Sequence, residues 1–435
     1  MGFHPFFPFF LSHFRYHASD FTQSYMNISP VKKFDAYPVY LILEGASALF
    51  STMVFTVNMV YQVTVVNLNP LQLVLVGTVL ETTAFLCEVP TGVVADVYSR
   101  RLSVLIGIFL IGAGFVLQGA IPLFSAILLS QVVSGVGYTF TSGATQAWIA
   151  DEVGEANAGR AFLRGAQASQ LGALVGIVAS VSLASIQVHL PIVVGGGLMV
   201  ALGVFLLLVM PERGFTPIPS EGRTSWGAMA HTLRNGMQLV RRRPALITIL
   251  SIGGIYGMFS EGFDRLWTPH VLENFTLPSL GKFQPVVWFG IINAGSMLLT
   301  LVVTELARQR LDTNSHLSVA RALFAINTVL IAGIVAFGVA GHFALALATL
   351  WIISPLRRMN TPIYTAWVNQ RLDPKVRATV ISMSSQADAL GQIIGGPIVG
   401  VIGKVVSVRA AIVVSGIVLS PALLLYARTM RRGKP

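Results

Sequence analysis

Long apolar runs separated by short polar breaks fill most of the chain. A membrane-crossing helix needs about 20 mostly apolar residues. Twelve such runs occur, at roughly 37–61, 71–95, 102–122, 124–149, 165–187, 190–210, 245–269, 285–307, 318–340, 343–366, 378–402 and 407–428. The breaks are brief, as at Asn67-Leu-Asn-Pro70 and Ile121-Pro122. The exception is 211–244, rich in Pro, Gly and Arg, which divides six runs from six. The pattern predicts an all-α membrane protein with twelve transmembrane helices in two six-helix bundles. Its parts are a tail (1–36), a first bundle (37–210), a linker (211–244), a second bundle (245–428) and a basic C-terminal tail (429–435).

Composition supports the lipid setting. Of 435 residues 54% are hydrophobic and 11% charged, against about 25% charged in soluble proteins. The mean hydropathy is +0.72. The net charge of +11 suggests a nucleic-acid partner only until the charges are mapped. Alternate breaks collect 22 of the 29 Lys and Arg residues on one side, among them Lys32, Lys33, Arg100, Arg101, Arg160 and Arg164. The other side holds Lys282, Lys404 and Arg409. The positive-inside bias predicts a multi-pass protein of the cytoplasmic (inner) membrane, with both termini and the linker in the cytoplasm. The charge is thereby explained without nucleic acid. The lone cysteine, Cys87, lies in an apolar run and reads as a core residue.

Residues 1–36 are rich in aromatics and His and lack the basic, apolar and small-residue zones of a signal peptide. The expectation is that Met26 is the true start. In the linker, Trp226, Met229, Leu233, Met237 and Val240 recur every three or four residues before Arg241-Arg-Arg243. A short amphipathic helix on the cytoplasmic leaflet fits this spacing, as a tether between bundles or as a lipid sensor.

The halves share a faint repeat. Gln167-Ala168-x-x-Leu171-Gly172-x-x-x-Gly176 recurs as Gln386-Ala387-x-x-Leu390-Gly391-x-x-x-Gly395, and Ala147-Trp148 as Ala366-Trp367, all offset by 219 positions. Glycines four apart let helix backbones approach closely, so Gly172 and Gly176 read as packing residues.

One break carries a longer signature, Glu88-Val-Pro-Thr-Gly-Val-Val-Ala-Asp-Val-Tyr-Ser-Arg-Arg101. It places Asp96, Arg100 and Arg101 at a membrane face, in a turn expected to open at Gly92. The segment resembles the Gly-x-x-x-Asp-x-x-Gly-Arg-Arg/Lys signature between the second and third helices of major facilitator transporters. Gly92, Asp96, Arg100 and Arg101 match; Ser99 stands where that signature has Gly. The resemblance covers 37–428 and implies the major facilitator fold. Ala147-Trp-Ile-Ala-Asp151, Met210-Pro-Glu212, Ser260-Glu-Gly-Phe-Asp-Arg265 and Gly391-Gln-Ile-Ile-Gly-Gly-Pro-Ile-Val-Gly400 resemble the branch of macrolide and tetracycline exporters.

That resemblance implies antibiotic resistance by antiport, driven by a proton gradient without a bound cofactor, in a monomer that carries a small-molecule substrate. It also implies a cytoplasmic gate in which Asp96 and Arg100 pair with Asp151, beside Glu88. Two departures qualify it. Proton-coupled exporters often carry Arg-x-x-Gln-Gly in the fourth span, where this chain has Gln131-Val-Val-Ser-Gly135. The antiporter Gly-Pro motif of the fifth span lacks its proline here, and Gly395, Gly396 and Pro397 supply a Gly-Gly-Pro run in the eleventh instead. The second-half counterpart of the gate signature, Glu305-x-x-Arg308-x-Arg310, is degenerate.

Charge inside a span is costly and marks function by default. The acids are Glu44, Glu81, Glu88, Glu261, Asp264 and Asp388; the bases are Arg265, Arg357 and Arg358. A carboxyl group that changes its protonation state can trade a proton for a cationic substrate. Glu44 and Asp388 are the foremost candidates for proton or cation binding. Either is also a candidate partner for Arg357 or Arg358, while Asp264 and Arg265 could form a local pair. Trp148, Trp267, Trp288 and Trp367 lie towards span ends, where an aromatic belt is the plain expectation and stacking on a cationic drug the sharper one.

No His-Glu-x-x-His, no phosphate-binding loop with Lys-Ser/Thr and no paired-cysteine metal cluster occurs in the sequence. Gly257-Met-Phe-Ser-Glu-Gly262 is one residue too long for a nucleophile elbow. The expectation is a carrier rather than an enzyme or a channel, with no metal site. Three functions remain open: efflux of drug-like amphiphiles, movement of an endogenous metabolite, siderophore or lysolipid, and a non-transporting sensor or scaffold.

Overall fold

The structure is a computed structural model and describes residues 35–217, 244–280, 285–312, 315–370 and 374–432. The described residues form α-helices and no β-strand. The first half holds α1 (Ala36–Thr64), α2 (Pro70–Val97), α3 (Arg100–Ala120), α4 (Phe124–Thr141), α5 (Ala144–Val153), α6 (Glu155–Ala184) and α7 (Leu190–Val209). The second holds α8 (Pro244–Asn274), α9 (Val287–Arg310), α10 (His316–Val339), α11 (Phe343–Gln370), α12 (Pro374–Val405), α13 (Val408–Val418) and α14 (Ser420–Arg432). The expected start at Met26, the linker helix from Trp226 to Arg243, and Lys32, Lys33, Lys282 and Arg371 lie outside the described residues.

Among the described residues, eleven stretches are long and apolar enough to cross a membrane, with α4–α5 and α13–α14 each counting once. The twelfth expected span is α11. Its 28 residues reach about 42 Å at 1.5 Å per residue, ample for a bilayer. Arg357, Arg358, Asn360 and Pro362 make it the least apolar of the twelve. Outward-facing Leu163, Leu208, Ile186 and Leu424 are exposed, as a lipid-facing surface requires.

Local chemistry sets the breaks. Asn69 and Gln72 form a reciprocal capping box that starts α2, with Pro70 in the first turn. Ser99 caps α3 by accepting from Leu102 N at 2.9 Å. Gly143, at φ 72°, splits the fourth span into α4 and α5, and Gly154, at φ 78°, turns α5 into α6. L-residues rarely adopt such angles, so glycine decides both positions.

The two halves repeat one packing scheme. α1 lies along α6 and α8 along α12; α3 packs on α4 and α7, and α10 on α11 and the α13–α14 span. A Cβ at Gly176 would meet Leu49 O at 2.5 Å, and one at Gly395 would meet Met258 Cα at 2.6 Å. Gly172 lies against the Gly45 carbonyl just as Gly391 lies against that of Gly254. The repeated glycines thus perform the same close approach in both halves.

Between the halves the contact is lopsided. The α2–α12 seam is long, and α6–α9 touch over a much shorter stretch where Gly290 faces Val181 and Ile177. Away from the basic end the seam is tight: a Cβ at Gly403 would stand 2.9 Å from Pro70 Cβ, and one at Gly400 3.2 Å from Leu71 Cα. Towards the basic end, α6 and α9 are largely exposed over 155–164 and 301–310. The halves close at one end and part towards the other, between α6 and α9.

Candidate functional site

At the basic end, α2 stays helical to Val97. Gly92 and Asp96 therefore lie on a helix rather than in the expected turn, and only Tyr98 and Ser99 separate α2 from α3. Pro90 leaves the Leu86 carbonyl without its helical N–H donor, and Thr91 Oγ1 donates to Cys87 O at 2.8 Å beside it, yet the helix continues. Arg100 donates to Ala147 O at 2.7 Å and forms an ion pair with Asp151. Arg101 Nη2 donates to Leu207 O at 2.6 Å. The two arginines thus fasten α3 to α5 and α7 within the first bundle. Asp96 makes no ion pair or hydrogen bond among the described residues, so the structure brings together two of the three expected gate charges. Glu88, exposed, accepts from Gln386 Nε2 at 2.9 Å and bridges α2 to α12.

A further carboxylate joins this cluster that the sequence reading did not place there. Glu212 accepts from Ser99 Oγ at 2.7 Å and from Arg101 N at 2.9 Å. It sits on the positive end of the α3 dipole, where a carboxylate is favoured. Glu152 receives the backbone N–H groups of Arg213 and, at 2.7 Å, Gly214. The available signal was Met210-Pro-Glu212 itself, a carboxylate just past the end of an apolar run.

Midway through the bundles the charges of the second half are paired. Arg357 binds Asp264 bidentately, Nη2 to Oδ2 at 2.8 Å, and its guanidinium lies 5.1 Å from the Phe259 ring centroid and 5.4 Å from that of Phe263. Arg265 Nε donates to Glu261 at 2.9 Å within α8. That carboxylate is 4% exposed, so its charge requires the partner. The expected local pair of Asp264 with Arg265 is replaced by these two. The helical turn explains it, since Glu261 and Arg265 are four apart and share a face, while neighbouring Asp264 points elsewhere.

Asp388 accepts from Gln392 Nε2 at 2.8 Å, and Glu44 accepts from Ser169 Oγ at 2.9 Å. Neither pairs with Arg357 or Arg358. Glu81, on α2 of the first half, lies within electrostatic reach of Glu261, Arg265 and Asp388 of the second. Pro397 lies within α12, and Gly396 backs onto Glu261 and Val74. The charged level of the molecule is therefore built around the α2–α12 seam.

A cavity of about 340 Å³ opens beside this cluster between α8, α9 and α11. Tyr256, Phe263 and Trp267 give it an aromatic side; Asn293, Arg357 and Arg358 give it a polar one. Arg358 is exposed to it and makes no ion pair or hydrogen bond among the described residues. No group of His, Cys, Asp and Glu suited to a metal occurs among the described residues.

The first half is different. Gln131, where the resemblance places an arginine, is buried and donates to Gln118 Oε1 at 2.9 Å. Gln118 donates in turn to Asn58, which also accepts from Gln62 Nε2 at 3.1 Å. This amide chain was invisible in the sequence because single amides in apolar runs leave no pattern. The tryptophans need correction too. Trp148 and Trp367 are 1% and 2% exposed. Trp148 Nε1 donates to Pro211 O at 2.7 Å, and Trp367 packs among His316, Tyr364 and Tyr426. They are core residues at repeat-related positions, not a membrane belt.

Comparison with known proteins agrees with this architecture. The pattern of the Major Facilitator Superfamily matches residues 42–356. An uncharacterized MFS-type transporter, YxaM of Bacillus subtilis (strain 168), is 22% identical over 363 residues, covering 82% of this chain and 86% of its own. The fold is similar to that of the nucleoside transporter NupG (TM-score 0.70, 14% identity, 92% of this chain and 100% of that one). A POT family transporter in complex with 5-aminolevulinic acid superposes with a TM-score of 0.70 at 14% identity, over 91% and 96% of the two chains. A bacterial homologue of the human lysosomal transporter Spinster, inward-facing and occupied, gives 0.69 at 12% identity, again over 91% and 96%.

Proposed function

Because the chain belongs to the major facilitator superfamily, a family of membrane transporters, we propose that it is a proton-coupled carrier that exports small amphiphilic, drug-like molecules by alternating access. The observation that carries this reading is the meeting of acids from both halves at one level: Glu81 of the first, with Glu261 and Asp388 of the second. Like charges at a closed seam repel, so binding a proton favours closure there and losing it favours separation. A seam that opens and shuts is what alternating access requires.

The lopsided contact between the halves supports the same cycle. With the basic end in the cytoplasm, as the charge bias implies, the end at which α6 and α9 part faces inward. Arg100, Asp151 and Glu212 hold the inner ends of α3, α5 and α7 as one body while the bundles rotate. Glu88 and Gln386 make a bond across the halves that such a rotation breaks.

The test is accumulation of a panel of lipophilic cations, anions, macrolides and tetracyclines in drug-sensitive cells expressing the chain, with and without a protonophore. Lower accumulation that the protonophore abolishes is the expected result. Unchanged accumulation of every compound, with the protein confirmed in the membrane, overturns drug export and leaves an endogenous metabolite as the cargo.

A further inference from the structure

Among the described charges at mid-membrane level in the second half, Arg358 is the one with no ion pair or hydrogen bond. Each other charge at mid-membrane level in the second half is held by a neighbour: Arg357 by Asp264, Arg265 by Glu261, and Asp388 by Gln392. Arginine side chains keep their charge, and a charged group at the centre of a span costs about 2.5–3.5 kcal/mol even by the most lenient scale. Here the guanidinium stands at mid-helix in α11, exposed and lining the cavity. No carboxylate among the described residues lies within ion-pairing distance of it.

The surroundings define what could partner it. Of the charges lining the cavity, Asp264 and Arg357 cancel in a bidentate pair and leave Arg358 in excess. Trp267, Phe263 and Ile292 offer an apolar wall, and Asn293 and Ser296 of α9 offer uncharged polar groups. About 340 Å³ is at the small end of the range for organic ligands, about 300–1,000 Å³. Five N–H donors in a planar fork match a carboxylate or a similar oxyanion in two parallel bonds.

We propose that the cargo is a small organic anion, with its acidic group on Arg358 and its apolar body against Trp267 and Phe263. This deepens the carrier reading and rests on it for the word cargo, but the binding site stands on its own geometry. The pair of Arg357 with Asp264 supplies the selectivity: it removes the carboxylate that would otherwise neutralise Arg358 or attract a cation.

Three probes of one shape test the charge directly: 1-naphthoate, neutral 1-naphthamide and cationic 1-naphthylmethylammonium. Their binding is measured by calorimetry on the purified full-length protein, without an ion gradient. Naphthoate should bind about tenfold or more tightly than the other two. Arg358→Gln should bring naphthoate down to the affinity of the amide and leave the amide unchanged, while Arg358→Lys should keep a preference for the anion. Tightest binding of the cation, equal binding of the three, no binding of any, or an anion preference that survives Arg358→Gln overturns the proposal. Because the wild-type preference is read without any variant, misfolding of Arg358→Gln does not decide the matter. Anion preference with no protonophore-sensitive transport would overturn the coupling reading alone.

Discussion

The two halves share a helix arrangement but solve the problem of polarity in a membrane differently. The first buries a chain of amides, Asn58, Gln62, Gln118 and Gln131, linked to one another without charge. The second uses ions: buried Glu261 with Arg265, and Asp264 with Arg357 at the cavity, beside a solitary Arg358. A buried amide chain fixes helices in place and carries no charge to exchange. An ion cluster that borders a cavity can change partners as protons and solute come and go. On this reading the duplicated scaffold places rigidity in the amides of the first half and most of the exchangeable charge in the second, with Glu44 and Glu81 the exceptions.

The largest expected effect is on transport. Asp388→Asn and Glu44→Gln should each abolish protonophore-sensitive efflux with protein at wild-type level in the membrane. If only Asp388→Asn does so, the division between halves is sharper than drawn, because Glu44 is the one acid of the pair that belongs to the first. If neither does, both leave the proton pathway.

Next comes stability. Glu261→Ala leaves Arg265 without its partner in a site where both side chains are largely buried, and should cost about 3–5 kcal/mol. Thermal unfolding in detergent would report it, and adding Arg265→Gln should recover much of the loss. Gln118→Leu strands Asn58 and Gln131 and should cost about 1–3 kcal/mol, with transport per molecule preserved. A loss of transport by the folded Gln118→Leu protein would break the assignment of the first half to rigidity.

Smaller again is the test of the repeat itself. Gly172→Ala and Gly391→Ala each press a methyl onto a partner carbonyl, and overpacking of this kind costs about 1–3 kcal/mol. Equal falls in melting temperature are expected, since the two glycines do the same task. Arg308→Gln, at an exposed ion pair with Glu305, should change neither melting temperature nor transport.

Much of the fold was legible because membrane spans are written in long apolar runs and the repeat in glycines at a fixed offset. The ends were less so. α6 begins at Glu155, about ten residues before the apolar run expected from 165, because a polar stretch without a breaker continues the helix. Arg100 and Asp151 were legible as a pair because a known signature names them. Arg357 and Asp264 were not: 93 positions separate them, and adjacency of Arg357 to Arg358 says only that the two face different ways. Trp148 and Trp367 were misread since position along a span does not reveal which way a side chain faces. The sequence carries spacing well and facing poorly, and a site is made of facings.

The way the linker begins has a mechanical consequence. Pro211 is tied to Trp148, Glu212 to α3, Arg213 and Gly214 to Glu152, and the Phe215 ring lies under Arg100 at 5.9 Å. The rope between the bundles is thus belayed along five residues before it leaves the first one. Its effective length is shorter than 211–244 suggests, and any pull from the second bundle arrives first at the anchor of Phe215 and Glu152, one residue from Asp151. The load path of the linker runs past the Arg100–Asp151 ion pair.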